Sequence, residues 1–138
     1  MTDQDILVVD TGGGPIGTIT SKAWHVLDYT SHKTSMQGYQ SKSSKVWPVV
    51  NAVTKATLQD RDEPVLLVMN YVTMVTDDKE NESLCQPYNL MAHNIKVDLI
   101  PTKYGGKHGI EVEGEFLPFR FDDEKAYFNI SKPTNNDL

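Results

Sequence analysis

Apolar residues in this chain fall mostly in short β-branched or alternating runs, separated by turn-forming and charged clusters. Ile6-Leu7-Val8-Val9 is one such run, and it ends at Asp10 and the glycine cluster Gly12-Gly13-Gly14. The pattern predicts a buried strand that delivers an aspartate to a sharp loop. Gly17-Thr18-Ile19-Thr20 predicts a second strand. Ala23-Trp24-His25-Val26-Leu27 fits a helical turn or a strand start, and residues 34–39 predict a third strand followed by the polar stretch 40–45. Residues 47–58 and 64–75 predict two longer strands. The charged turn Gln59-Asp60-Arg61-Asp62-Glu63 between them makes the pair a hairpin.

Further along, residues 77–82 form a charge run that reads as a solvated loop. Residues 82–93 are the best helix candidate, with Leu84, Tyr88 and Met91 near helical spacing. Pro87 fits that helix only in its first turn, where a missing N–H does no harm. Residues 96–100 alternate, and Gly105-Gly106 and Gly109 mark turns. Residues 111–116 predict a tight hairpin centred near Gly114. A second hairpin joins 119–121 to 126–130 across Asp122-Asp123-Glu124. The tail from 131 to 138 is polar, carries no packing signal and is expected to be flexible. The expected architecture is mainly β, a single domain over residues 1–138 with one short helix and additional C-terminal hairpins.

Composition narrows the function classes. With 138 residues, 38% hydrophobic and 23% charged, the chain suits one modest core and ordinary globular order. A net charge of −6 and a pI near 5.1, with basic residues scattered, argue against nucleic acid as a partner. No stretch approaches the ~20 apolar residues of a membrane span, and the polar, acidic start is unlike a secretory signal. The single cysteine, Cys85, excludes an internal disulfide and fits a reducing, intracellular and cytoplasmic setting, where it is expected to pack as a small apolar residue. The abrupt polar end suggests a piece of a longer polyprotein.

The candidate chemistry centres on Asp10-Thr11-Gly12. An aspartic peptidase needs two carboxylates about 3 Å apart that share one proton, because two like charges that close cannot both ionise. A small hydroxylated residue after the aspartate braces the two loops, and a glycine next permits the tight backbone. The chain supplies one such triplet and no second Asp-Thr-Gly or Asp-Ser-Gly. The chemistry therefore requires a homodimer with one Asp10 from each copy. Taken alone the triplet also suits an ordinary turn after a strand.

Longer segments carry a resemblance. Val8-Val9-Asp10-Thr11-Gly12-Gly13-Gly14, Thr18-Ile19-Thr20 and Ala23-Trp24-His25 resemble the protease region of copia-type retrotransposon polyproteins, in particular the group found in diatoms and other algae. Met36-Gln37-Gly38-Tyr39-Gln40, Pro48-Val49-Val50-Asn51-Ala52-Val53-Thr54-Lys55-Ala56, the stretch 63–71, Glu82-Ser83-Leu84-Cys85 and Ile130-Ser131-Lys132-Pro133-Thr134 extend it over nearly the whole chain. The resemblance implies a retropepsin-like fold and an aspartic peptidase acting on its own polyprotein. It makes Asp10 the catalytic carboxylate, Thr11 the bracing hydroxyl and Gly12 the glycine beneath it, with no metal and no organic cofactor. By order of elements, residues 38–45 lie where a flap would cover the substrate, although the usual glycine-rich flap sequence is missing. Gly13 stands where such enzymes usually have alanine. Ser83-Leu84-Cys85-Gln86 stands where they place two hydrophobic residues and a glycine before a helix.

Other readings stay open at this point. The segment 8–14 also resembles the first phosphate loop of actin-like, Hsp70-like and sugar-kinase ATPases, whose glycine N–H groups cradle phosphate. The chain is too short for their second loop and second lobe. The departure at Leu84-Cys85-Gln86 motivates a non-catalytic dimerisation or peptide-binding module that uses strand addition. His25, His32, His93 and His108 lack metal-ligand spacing. Substrate pockets are expected along residues 47–58 and 64–75. The hairpins between 109 and 130, with Phe116, Phe119, Phe121 and Tyr127, are the candidate dimer interface unless these aromatics complete the monomer core.

Overall fold

The structure is a computed structural model that describes residues 4–10, 17–37, 44–76, 80–92, 94–122 and 125–138. Eleven strands and one α-helix are present among them: β1 Ile6–Val9, β2 Thr18–Thr20, β3 His25–Gln37, β4 Ser44–Thr57, β5 Val65–Val75, β6 Glu82–Cys85, α1 Pro87–Ala92, β7 Lys96–Asp98, β8 Gly109–Val112, β9 Glu115–Pro118, β10 Arg120–Asp122 and β11 Lys125–Ser131. Short 3₁₀ turns occupy Ser21–Ala23 and Thr102–Tyr104. The chain is mainly β, as its pattern predicts.

Among the described residues, eight strands join in the order β10-β11-β1-β6-β2-β5-β4-β3. β11 also pairs with β4, through Asn129↔Thr57, Ile130↔Ala56 and Ser131↔Lys55. That second pairing closes β11, β1, β6, β2, β5 and β4 into a six-stranded barrel, with β10 and β3 attached outside it. Closure removes most free strand edges, and the alternation along each strand then sorts side chains between barrel interior and exterior. In β11 the inward residues are Ala126, Phe128 and Ile130; Leu7, Val9, Ile19, Val50, Ala52, Ala56, Val72, Met74 and Cys85 meet them in the core. Trp24 and Phe119 fill the same cluster. A separate sheet, β7-β8-β9, adds Ile110 and Leu117 to it.

Several elements differ from the sequence expectation. Residues 82–93 split into strand β6 and the six-residue helix α1. The split follows from Pro87, which starts the helix, and from Ser83 and Cys85, which alternate into the interior while β6 runs parallel to β1. Tyr88 and Met91 lie exposed, so their spacing marked a solvent face. β3 begins at His25, well before residue 34, because its polar stretch 28–33 pairs through bulges. Thr30, Ser31 and His32 stand opposite Val49 alone, and the next pair is Lys33↔Pro48. Proline is tolerated at such an irregularity, where a ladder N–H is not needed.

Gly109 belongs to β8 and is not a turn. A Cβ there would lie 2.4 Å from Leu117 O and 2.6 Å from Phe116 Cζ, so the close pairing with β9 requires glycine. The turn itself is Glu113-Gly114, both at positive φ (50° and 83°), the two-residue geometry that favours glycine. β10 and β11 pair as the expected hairpin, through Arg120↔Tyr127, Phe121↔Ala126 and Asp122↔Lys125, and β11 is at the same time a barrel strand. Phe119 is buried and Phe116 and Tyr127 are half-buried, so three of the four aromatics complete the monomer; Phe121 is exposed. In the tail, one residue is buried and one carboxylate is held by hydrogen bonds. Pro133 is buried, and the Asp137 carboxylate accepts from Thr134 N–H, Thr134 Oγ1 and Lys55 Nζ at 2.8, 2.9 and 3.1 Å.

Candidate functional site

β1 is buried along residues 7–9, with β11 antiparallel on one flank and β6 parallel on the other. Leu7, Val8 and Val9 face opposite ways in turn and are all buried, so both faces of the strand are covered and Ile6-Leu7-Val8-Val9 does not alternate. Its two ends are fixed by backbone hydrogen bonds. Ile6 N–H donates to Asn81 O at 3.0 Å, and Asp10 N–H donates to Cys85 O at 3.0 Å. The chain therefore leaves the barrel at Asp10, whose side chain is exposed. Thr11 and Gly12, the other two expected site residues, lie outside the described residues, as do Gly13, Gly14 and residues 38–43 of the expected flap.

The structure brings the stretch Ser83-Leu84-Cys85 directly beside the aspartate strand. Leu7 pairs with Ser83, Val8 with Leu84 and Val9 with Cys85. Cys85 is packed in the core, and burial pushes its thiol up to about 12 from an ordinary 9.0. Such a thiol is a packing group and not a nucleophile.

Beneath this corner lies a polar node that the sequence reading missed. Ser83 Oγ accepts the Trp24 indole N–H at 3.0 Å and the Thr20 backbone N–H at 3.2 Å, and it lies 3.5 Å from Thr20 Oγ1. All three residues are almost wholly inaccessible to solvent. Thr54 Oγ1 donates to Ala23 O at 2.7 Å and ties the adjoining 3₁₀ turn to β4. The only trace of this node in the sequence is a serine at an inward position of a short strand.

A groove of about 790 Å³ opens along β5, lined by Gly17, residues 68–72, Leu90, Asn94, Ile95, Val112 and Glu113. It takes residues from the second of the two strands expected to form pockets and none from the first. Asp10 is not among its described lining residues. On its rim Tyr71 adopts φ 59°, an uncommon conformation for a bulky residue, at a bulge where Asn51 alone faces Asn70 and Tyr71. Asn51 Oδ1 accepts the Tyr71 N–H at 2.9 Å and holds the bulge.

The remaining candidates disperse. His108 is buried with its ring edge-on to Phe119 and Phe121, each 5.3 Å away, while His32 is exposed against Tyr71 at 5.6 Å. His93 lies outside the described residues. Among the described residues no three His, Cys, Asp or Glu gather as a metal site. Gly105, at φ 89°, closes the 3₁₀ turn Thr102–Tyr104, as expected for a turn and not a phosphate loop. No described helix is long and apolar enough to cross a membrane. Comparisons with protein-family models, with curated proteins and with solved structures gave no match to this chain.

Proposed function

We propose that this chain is an aspartic endopeptidase of retropepsin-like fold that works as a homodimer and processes the polyprotein that contains it. The observation that carries the reading is the setting of Asp10. An exposed carboxylate stands at the C-terminal end of a strand buried over residues 7–9, flanked on both sides and followed in sequence by Thr11-Gly12. Rigid flanks suit a carboxylate that must meet its counterpart within about 3 Å. One triplet per chain means that the counterpart comes from a second copy.

In the dimer the two Asp10 carboxylates hold one proton between them. The ionised member takes a proton from water, the hydroxide adds to the peptide carbon, and the protonated member gives its proton to the carbonyl oxygen. The first member then passes its proton to the amide nitrogen as the C–N bond breaks, and the second regains a proton from the hydroxyl that becomes the new carboxyl. Acid and base are both needed, so the rate should follow a bell with its top in the acid range. The strand β6 would supply the second loop of each half, with Ser83-Leu84-Cys85-Gln86 where the resemblance calls for two hydrophobic residues and a glycine before a helix.

The test is cleavage of a longer precursor, or of a peptide library, between about pH 4 and 7. Asp10→Asn should lower kcat/KM by ~10²–10⁴-fold, the range of a positioned acid–base group. Activity per chain should rise with protein concentration until the dimer saturates. Cleavage that survives Asp10→Asn, or a flat pH profile from a strict monomer, sinks the reading.

One observation favours a second reading, a peptide-binding module without catalysis. The groove along β5 is apolar over Val68, Met69, Val72, Leu90 and Ile95 and lies apart from Asp10 in its described lining. Peptide binding that persists in Asp10→Asn, with no cleavage by the unaltered protein, selects that reading.

A further inference from the structure

Strand β6 has an unusual job for its length. It is four residues long, and its last carbonyl, Cys85 O, receives the Asp10 N–H. On the β1 side it is held by four register pairs. On the other side its ladder to β2 is a single pair, Thr18↔Leu84. A strand pinned along one edge only can rock about that edge, and its end would carry the Asp10 backbone with it.

The side chain of Ser83 supplies what that ladder lacks. Thr20 N–H, which lies two residues beyond the one ladder pair, donates to Ser83 Oγ in place of a backbone carbonyl. The Trp24 indole donates to the same oxygen from the far side of the 3₁₀ turn. One hydroxyl thus ties β6 to β2 and to the residue that leads into β3. The node is 0–1% exposed, so water cannot replace either bond without opening the core. Removing the hydroxyl leaves two buried donors without an acceptor, and the least costly relief is a shift of the short strand toward solvent.

We propose that Ser83 is a positioning residue for Asp10: through β6 and the Cys85 carbonyl, its buried hydroxyl fixes where Asp10 leaves the barrel. The inference rests on the peptidase reading for its catalytic meaning, but its structural content is measurable without activity. Ser83 touches neither substrate nor reacting atoms. Its effect travels through the pairs Leu7↔Ser83 and Val9↔Cys85.

The experiment is residue-resolved amide hydrogen exchange under native conditions on the unaltered chain, Ser83→Ala, Ser83→Thr and Trp24→Phe. In Ser83→Ala the Asp10 amide should exchange about tenfold faster or more, while amides of the β8–β9 hairpin keep their rates. Ser83→Thr keeps the hydroxyl and should return the Asp10 rate toward that of the unaltered chain. Trp24→Phe removes one of the two donors and leaves the Thr20 bond, so it should give a smaller acceleration at the same amide; it carries the test if Ser83→Ala fails to fold. Uniform acceleration in both sheets, or an Asp10 amide indifferent to every variant, overturns the proposal. Where cleavage is measurable, Ser83→Ala should lower kcat about tenfold with KM within about twofold. A chain that cleaves nothing, yet whose Asp10 amide responds as described, supports the placement of Asp10 by Ser83 and sinks the peptidase reading alone.

Discussion

Cys85 stands opposite Val9, the last residue of the aspartate strand, and its side chain packs in the core. Burial disfavours the thiolate, which raises the group from 9.0 to about 12. At pH 8 the folded chain should therefore carry roughly a thousandfold less thiolate at this position than an exposed cysteine. Alkylation by iodoacetamide should be negligible in the native state and complete in denaturant, read by mass. The same shift has a sign in stability. The folded state favours the protonated thiol, so its contribution is whole below about pH 9 and shrinks as pH climbs toward 12. Denaturation at successive alkaline pH values should show a decline that is smaller in Cys85→Ala. Rapid alkylation of the native chain would mean that β6 opens readily, against the clamp that Ser83 provides.

Among the elements, β8 shows how a glycine can mislead. Gly109 resembles a turn residue in sequence because nothing local reveals the carbonyl and aromatic ring that crowd its α-carbon. Gly109→Ala should separate β8 from β9 and cost about 1–3 kcal/mol, the range for overpacking a tight site. Urea denaturation measures that cost, and a loss below about 0.5 kcal/mol would show that β9 yields easily. The elements legible from sequence are those whose register depends on their own residues. β1 declares itself by continuous burial, the β4–β5 hairpin by its charged turn, and the β8–β9 hairpin by Glu113-Gly114 at its tip. β3 hides because its polar stretch pairs through bulges set by Thr30 Oγ1, which donates to Val49 O and accepts from His32 N–H. β6 hides because its four residues borrow their conformation from β1, across a gap of more than seventy positions. Asp10 was legible as a strand end, but the Ser83 node was not. Its three members are brought together by barrel closure and share no local pattern.

At the scale of the whole molecule, the barrel is closed by β11 against β4, and the last turn of the chain locks that seam. Lys55 pairs with Ser131 across it, and the Lys55 ammonium reaches the Asp137 carboxylate at 3.1 Å. Hydrogen bonds from the Thr134 backbone and hydroxyl, then from Lys55, hold the Asp137 carboxyl below its ordinary 3.8. Its folded state thus favours the charged form. The stabilisation is whole above the ordinary value and is lost as pH falls through the lower, folded one. Asp137→Asn should accordingly lower Tm at neutral pH and still lower it near pH 4. The two melting curves should converge only as pH falls below the ordinary 3.8 and through the lower, folded value, where both side chains are uncharged. Convergence already at pH 4–5 would show that the seam is locked by packing around Pro133 and not by the Asp137 charge. The tail would then owe its order to burial alone.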